Sequence, residues 1–164
     1  MTEAKPFSAR SYTLSGCTLR RLEDADAAPL AETLVQMDPW RRLNYSAERF
    51  RNYFTAADPA LNRFVIEAQN KTAGVVCVRQ PWLKGPYLEL LGVWKPYQER
   101  GVGKEVMSWL EGEARKAAKN LWVLVSSFNE PARMFYAGVG FEEVATLPDL
   151  AEPGFQEMLL RKKL

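Results

Sequence analysis

The chain has 164 residues, of which 47% are hydrophobic, which suits one domain with a substantial core. Its 22 basic and 20 acidic residues give a net charge of +2, which argues against nucleic acid as a partner. Histidine is absent, so Ser-His-Asp and Cys-His nucleophilic sites and histidine-ligated metal centres are excluded. Any acid or base must be Glu, Asp, Tyr, Lys, Cys or water, and we expect no metal.

The N-terminal residues 1–16 are polar and contain no apolar signal segment, so we predict a flexible leader followed by one domain over residues 17–164. No apolar run approaches the length of a membrane span, and we expect no membrane partner. Cys17 and Cys77 lie far apart in apolar, strand-like contexts. We predict that both are core thiols of a reduced, cytoplasmic protein.

The front half of the chain predicts a strand, two helices and a hairpin. Residues 17–23 alternate between apolar and polar, as a strand does, and the helix after them ends at Asp38-Pro39. Ser46 is a typical N-cap for the second helix, which Asp58-Pro59 ends. Two short apolar runs within residues 64–79 predict the hairpin.

The loop between these two helices concentrates arginine and aromatic side chains. Its candidate ligand-binding residues are Trp40, Arg41, Arg42 and Tyr45. Guanidinium groups beside aromatic rings favour an acceptor that carries a carboxylate or a ring. Exposed loop arginines without a ligand are the alternative interpretation.

The back half predicts strands alternating with helices. In chain order these are a strand over 87–93, a helix over 102–118, a strand over 121–126, a helix from Asn129 to Gly138 or Gly140, and two closing strands over 141–146 and 155–162. The run over 121–126 is almost continuously apolar, which is typical of a strand covered on both faces.

A glycine-containing bend joins the strand over 87–93 to the helix after it. The bend reads Gln98-Glu99-Arg100-Gly101-Val102-Gly103-Lys104. Backbone N–H groups at a helix start carry partial positive charge, and glycine lets an anion approach them, so the bend predicts a phosphate or pyrophosphate site. The spacing fits neither the P-loop nor the three-glycine dinucleotide fingerprint. An ordinary strand-to-helix turn is the alternative.

Two blocks of sequence carry a family resemblance. Gln98, Gly101 and Gly103 fit Gln/Arg-x-x-Gly-x-Gly/Ala. About thirty residues further on, the segment 129–141 fits Asn-x-x-Ala-x-x-Phe/Leu-Tyr-x-x-x-Gly-Phe. The two blocks in this order resemble the GCN5-related N-acetyltransferase (GNAT) superfamily, and the resemblance covers roughly residues 17–164.

This resemblance implies a fold, a cofactor and site residues. The fold is a single-domain α/β fold with a mixed, mostly antiparallel central sheet, splayed central strands and flanking helices. The cofactor is acetyl-CoA, whose pyrophosphate binds at Arg100 to Lys104 and whose pantetheine arm pairs with the backbone of Leu91 and Val93. Tyr136 returns a proton to the leaving thiolate, and Asn129 either contacts the pantetheine arm or only caps its helix.

The resemblance also implies an amine acceptor, either a small molecule or a peptide. A lysine-like amine with a pKa of about 10.4 costs roughly 4 kcal/mol to deprotonate near neutral pH, so it needs a base. Glu89 lies two residues before Leu91 on the same strand face and is the candidate base, with a structural or substrate-binding role as the alternative. An acyl-CoA sensor or scaffold without turnover and a protein N-terminal acetyltransferase are the competing functions. A homodimer is possible.

Overall fold

The computed structural model describes residues 4–164, which fold into eight strands, five helices and a short 3-10 turn at Asp24–Asp26. The strands are β1 (Ser11–Thr13), β2 (Thr18–Arg21), β3 (Leu61–Ala68), β4 (Lys71–Arg79), β5 (Tyr87–Val93), β6 (Asn120–Ser126), β7 (Glu142–Pro148) and β8 (Gln156–Lys163). The helices are α1 (Ala27–Leu34), α2 (Ala47–Thr55), α3 (Lys95–Gln98), α4 (Val102–Arg115) and α5 (Glu130–Gly138). The chain divides into two compact units.

The first unit contains residues 4–22, 58–121 and Leu164. Strands β1 to β5 are neighbours in sequence order, and each pairs antiparallel with the next. Gly74 allows β4 and β5 to approach closely, because a Cβ at this position would lie 2.1 Å from the Gly92 carbonyl oxygen. Helix α4 buries an apolar stripe that includes Val106 and Leu110, as its 3.6-residue periodicity predicts.

The described part of the predicted leader is packed and not loose. Phe7 is fully buried, and its N–H donates to the Glu113 carboxylate at 2.7 Å. The Phe7 ring packs edge-on against Trp109, with ring centroids 5.6 Å apart, and Ser11–Thr13 forms strand β1. Residues 4–16 are mostly polar, so their composition did not predict this packing. One buried aromatic side chain and one strand pairing are enough to hold the segment. Residues 1–3 of the predicted leader lie outside the described residues.

The second unit contains residues 23–57 and 122–163. Helices α1 and α2 pack together through buried residues that include Leu30, Leu34, Phe50 and Phe54. Ser46 caps α2 as predicted, since its side chain accepts a hydrogen bond from the Arg49 N–H at 3.1 Å. The strand order is β6, β8, β7, and β7 pairs antiparallel with β8.

Most predicted elements are confirmed, and the differences concern helix ends and short elements. Strand β5 has the predicted bounds. Helix α1 ends before Asp38-Pro39, and α4 ends at Arg115, because bonds such as Ala117 N–H to the Ala114 carbonyl tighten the chain into a turn. Strand β1 and helix α3 were not predicted. No helix within residues 4–164 has both the length and the apolar composition to cross a membrane.

Candidate active site

The bend between β5 and α4 combines a short helix with a left-handed glycine. Helix α3 ends at Gln98, and the Arg100 N–H donates to the Tyr97 carbonyl at 3.2 Å, which closes the turn. Gly101 follows with a φ of +78°, which costs other L-residues about 1–2 kcal/mol. It is the N-cap residue of α4, and its carbonyl accepts from the Glu105 N–H at 3.0 Å. We call residues 98–104 the glycine bend.

The first turn of α4 leaves backbone donors available. The N–H groups of Val102, Gly103 and Lys104 belong to this first turn, where no intrahelical acceptor exists, and no side chain caps it. The side chains of Arg100 and Lys104 are exposed, as is that of Glu99. Unsatisfied N–H groups with two mobile cations nearby suit a phosphate or pyrophosphate group.

Gln98 connects the glycine bend to the end of β5. Its Nε2 donates to the Val93 carbonyl at 2.9 Å. Gln98 and Val93 are both predicted cofactor-binding residues, and this hydrogen bond holds one against the other. Burial alternates along β5, with Glu89, Leu91 and Val93 all half-buried. The face that the sequence predicted for Glu89 and Leu91 stays a prediction, because β5 is irregular at Glu89.

Glu89 lies at a β-bulge and is held by an ion pair. Leu90 opposes Cys77 and Leu88 opposes Val78, which leaves Glu89 as the extra residue of β5. Arg79 donates from Nε to Oε1 of Glu89 at 2.8 Å and from Nη2 to Oε2 at 3.2 Å.

Arg79 also holds a second carboxylate in the first unit. Its Nη1 lies 3.0 Å from Oδ2 of Asp58. The hydrogen bonds that Arg79 donates to Glu89 and then to Asp58 raise the pKa of Arg79, so this guanidinium keeps its charge. Both carboxylate oxygens of Glu89 are thus bound to a permanent cation, which favours a structural role for Glu89. Its role as a base stays a prediction.

Tyr136 lies in α5 and packs between aromatic rings. Its ring centroid is 5.3 Å from that of Phe135 and 5.6 Å from that of Phe141. The residue is only 7% exposed, and burial raises the pKa of its phenol. Within the described chain, the hydroxyl makes no hydrogen bond. A neutral phenol with no protein partner is free to donate to a ligand atom such as a thiolate.

Asn129 is the N-cap residue of α5. Its Oδ1 accepts from the Ala132 N–H at 3.4 Å. The capping role is confirmed, and the contact with a pantetheine arm stays a prediction.

The two arginines of the α1–α2 loop each have a neighbour within the second unit. Arg41 lies 3.4 Å from the Asp38 carboxylate, and the Arg42 guanidinium lies 4.4 Å above the centre of the Phe128 ring. Both arginines are exposed. The Asp38 carboxylate already partly neutralises Arg41, which weakens the case for an acceptor carboxylate at Arg41.

The aromatic residues of the same loop pack inward. Trp40 and Tyr45 contact Phe50, with ring centroids 6.0 Å and 5.6 Å from it. The Arg49 guanidinium stacks 3.7 Å above the Tyr45 ring and also binds Glu152, Nη1 to Oε1, at 2.9 Å. Trp40 and Tyr45 therefore pack against other aromatic side chains of the second unit. Their contact with a substrate stays a prediction.

Sequence reasoning missed Glu157. This carboxylate lies on β8, is 6% exposed, and accepts a hydrogen bond from Ser126 Oγ to Oε1 at 2.7 Å. Burial raises the pKa of Glu157, and the Ser126 hydrogen bond partly opposes that rise. The available signal was an acidic residue directly before the apolar run Met158 to Leu160 in a predicted strand.

The cysteines are ruled out as nucleophiles. Both are free and buried, as predicted. Burial, with a hydrogen bond to Glu105, raises the pKa of the Cys17 thiol to about 12, so Cys17 holds its proton at neutral pH.

A sequence model of the Acetyltransferase (GNAT) family matches residues 27–141, which is more than half of the chain. The chain therefore belongs to the GNAT acetyltransferase family. The mixed α/β fold, with its mostly antiparallel strands and flanking helices, is the fold of that family. No curated protein matches the chain in sequence.

Solved structures of GNAT proteins are similar to this chain. An acetyltransferase of the family from Elizabethkingia anophelis with acetyl-CoA bound is 16% identical over 92% of this chain and 99% of that chain, with a TM-score of 0.69. Mycobacterium smegmatis RimJ in complex with CoA-disulfide is 17% identical over 98% of this chain and 90% of that chain, with a TM-score of 0.73. Nourseothricin acetyltransferase is 27% identical over 65% of this chain and 66% of that chain, with a TM-score of 0.59.

Proposed function

We propose that this chain transfers an acetyl group from acetyl-CoA to a primary amine by direct attack within a ternary complex. The observation that carries the proposal is the glycine bend: Gly101 at positive φ, followed by an uncapped helix start flanked by exposed Arg100 and Lys104. These donors suit the pyrophosphate of coenzyme A. Two structural relatives with coenzyme A ligands support this choice of cofactor.

The backbone of this chain would hold the cofactor. In this proposal the N–H groups from Gly101 to Lys104 bind the pyrophosphate, and the backbone of Leu91 and Val93 pairs with the pantetheine arm. Gln98 contributes indirectly, because its side chain holds the Val93 carbonyl. A backbone N–H at Val93 or beside it would face the thioester oxygen, where negative charge develops during attack.

Tyr136 would act on the leaving group. The attacking nitrogen forms a bond to the acetyl carbon, the carbon–sulfur bond breaks, and the electron pair goes to sulfur. A buried, neutral phenol without a protein partner supports donation of a hydrogen bond or a proton to this thiolate.

The acceptor is proposed as a primary amine of a small molecule or a peptide. Because a nourseothricin acetyltransferase is among the similar structures, nourseothricin is a useful probe of this chain. We further propose a cytoplasmic protein, because both buried cysteines are free thiols. A homodimer and one domain over residues 17–164 stay predictions.

The decisive experiment combines binding with turnover. Calorimetry with acetyl-CoA tests the glycine bend, and release of free thiol from acetyl-CoA is followed with nourseothricin, spermidine and a peptide with a free N-terminus. We expect micromolar to millimolar acetyl-CoA binding and amine-dependent thiol release. Acetyl-CoA binding without release for any amine would favour the sensor, and release with the peptide alone would favour a protein N-terminal acetyltransferase. Absence of acetyl-CoA binding at millimolar concentration would overturn the proposal.

A further inference from the structure

Glu157 is a buried carboxylate with one unoccupied oxygen. Ser126 Oγ donates to Oε1 at 2.7 Å. Oε2 makes no hydrogen bond with any residue of the described chain, and it is not one of the fully enclosed atoms. Because Glu157 is nearly buried and no protein group donates to Oε2, a ligand that reaches Oε2 can supply the missing hydrogen bond.

The charged groups around Glu157 do not neutralise it. Arg49, on α2, binds Glu152 at 2.9 Å and stacks on Tyr45. Burial raises the pKa of Tyr45, Arg49 opposes the rise, and the charges of Glu152 and Glu157 add to it, so each of these three charged groups is within electrostatic reach of Tyr45. Tyr45, Ser126 and Glu157, together with Arg49 and Glu152, are called the Glu157 cluster below.

Within residues 4–164, neither the β7 residue opposite Glu157 nor the turn residue Asp149 is a cation. On β7 the residue opposite Glu157 is Leu147. Asp149, in the turn that leads to β8, is a carboxylate that accepts from the Gly154 N–H at 2.7 Å. The Glu157 cluster contains one cation and two carboxylates, and that cation is already paired. An ammonium group that enters here meets a net negative site.

From this geometry we propose that Glu157 binds the protonated amine of the acceptor and accepts its proton before the amine attacks acetyl-CoA. This inference rests on the proposed acetyl transfer and deepens it by naming the base and the acceptor class. The acceptor enters as a cation. The sequence-based expectation that Arg41 and Arg42 recognise an acceptor with a carboxylate or a ring stays a prediction, and one acceptor can carry such a group as well as the ammonium.

The acceptor amine loses two protons during the proposed reaction. The ammonium gives the first proton to Glu157, which becomes a neutral carboxylic acid, and the free amine forms a bond to the acetyl carbon. The carbon–sulfur bond breaks, and the second amine proton leaves with the thiolate as coenzyme A thiol, directly or through Tyr136. Glu157 then releases its proton to solvent and returns to the carboxylate.

Two properties make Glu157 a better base than Glu89. Burial raises the pKa of Glu157 towards the operating pH, where a general base works best. In contrast, Arg79 donates to both oxygens of Glu89, so an acceptor amine would have to compete with this ion pair. An ammonium beside Glu157 would form a charge-assisted hydrogen bond to the free Oε2.

Glu157→Gln tests the inference in the full chain with nourseothricin, spermidine and a free peptide as acceptors. We expect kcat/KM near neutral pH to fall by about 10²-fold to 10⁴-fold. The loss should shrink as the pH rises towards about 10, where the amine deprotonates without help. Glu142→Gln is the matched control, because Glu142 lies exposed on β7, and its profile should follow the wild type.

Two further measurements separate a base from a structural carboxylate. Ser126→Ala removes the hydrogen bond that lowers the pKa of Glu157, so the acidic limb of kcat/KM should move to higher pH. The raised pKa of Glu157 also means that its stabilising contribution is present below the unfolded pKa and lost as the pH rises through the folded pKa. Glu157→Gln should therefore be at least as stable as the wild type at neutral pH.

The outcomes distinguish this inference from the proposed function. A wild type that does not bind acetyl-CoA overturns the proposed function. A wild type that acetylates an amine while Glu157→Gln keeps full activity, or loses it equally at every pH, overturns the assignment of Glu157 alone. Acetyl-CoA binding without acetylation of any of the three amines also overturns the assignment.

Discussion

The glycine bend and the Glu157 cluster recognise charge in opposite ways. The glycine bend offers backbone N–H groups and two exposed cations to an anion, and its geometry depends on one left-handed glycine. The Glu157 cluster offers a buried carboxylate oxygen to a cation, and its geometry depends on side chains from four separate segments. A backbone site tolerates most side-chain changes, whereas a side-chain site is lost with one substitution.

The contrast has an energetic side as well. Exposed cations at the glycine bend cost the fold little, because water solvates them until the ligand arrives. The ionised Glu157 costs stability at neutral pH, since burial disfavours its charged form. The glycine bend should therefore cost the fold little stability without a ligand, whereas Glu157 costs stability whenever it is ionised. The variants below test this contrast.

Among the variants outside the Glu157 cluster, the largest effect is expected at Tyr136. Tyr136→Phe removes the hydroxyl and keeps the packed ring, so kcat should fall by about tenfold to a thousandfold while the Kd for acetyl-CoA is unchanged. Because burial raises the pKa of Tyr136, the stability linked to its proton is present below the unfolded value of about 10 and is lost above it. No fall in kcat through Tyr136 ionisation is therefore expected below about pH 10.

Tyr12→Phe is the matched control for Tyr136→Phe. The Tyr12 hydroxyl donates to Glu113 at 3.2 Å, so its removal should lower the free energy of unfolding by about 0.5–1.5 kcal/mol and leave kcat unchanged. Chemical denaturation and steady-state thiol release measure the two quantities. An unchanged kcat in Tyr136→Phe would remove Tyr136 from the chemistry.

A smaller effect is expected in the glycine bend. Gly101→Ala places a side chain at positive φ, where the strain is about 1–2 kcal/mol. If this strain shifts the bend away from its binding conformation, acetyl-CoA affinity should fall by about 5-fold to 30-fold. A Cβ at Gly101 has no heavy atom within 4 Å, so a clash cannot explain the loss. The measurement is calorimetric titration with acetyl-CoA.

Gly112→Ala is the control for Gly101→Ala, because its effect on stability should have the opposite sign. Gly112 lies exposed within α4 and its Cβ would also meet nothing within 4 Å, so the substitution should stabilise the fold by about 0.5–1 kcal/mol without changing affinity. If both glycine variants bind acetyl-CoA like the wild type, the backbone conformation of the bend is irrelevant to binding.

The mobile charges of the glycine bend should contribute less than its backbone. The double variant Arg100→Gln/Lys104→Gln should weaken acetyl-CoA binding by roughly threefold to tenfold, because exposed ion pairs are worth about 0.2–1 kcal/mol each. The difference from the wild type should shrink at high salt, as screening requires. Lys71→Gln, at the exposed first residue of β4, is the control. A difference that does not depend on salt would contradict an electrostatic contribution.

The smallest effect on catalysis is expected at Glu89. Glu89→Gln breaks a charge-assisted pair with Arg79 and should lower the free energy of unfolding by about 1–2 kcal/mol. The pH dependence of kcat/KM should keep its shape, since Glu157 and not Glu89 takes the proton. Loss of the acidic limb in Glu89→Gln would restore Glu89 as the base and move the cation-binding role away from the Glu157 cluster.

Local sequence was sufficient to predict the glycine bend, the strand before it and the stripe of α4. Residues 87–115 are contiguous, and apart from α3, which was not predicted, their conformations follow from local rules: alternation in a strand, positive φ at glycine and 3.6-residue periodicity. The same holds for the N-caps Ser46 and Asn129, whose side chains bond to backbone only three residues away.

The partners of Glu89 and the existence of the Glu157 cluster emerged only from long-range packing. Arg79 contacts Glu89 across the β4–β5 pair, which contains a bulge. Ser126 binds Glu157, which lies 31 positions later in the chain. Phe7 likewise looked like part of a polar leader until Trp109 and Glu113 were placed beside it. A carboxylate's burial and partners depend on segments distant in sequence, and local periodicity carries no information about them.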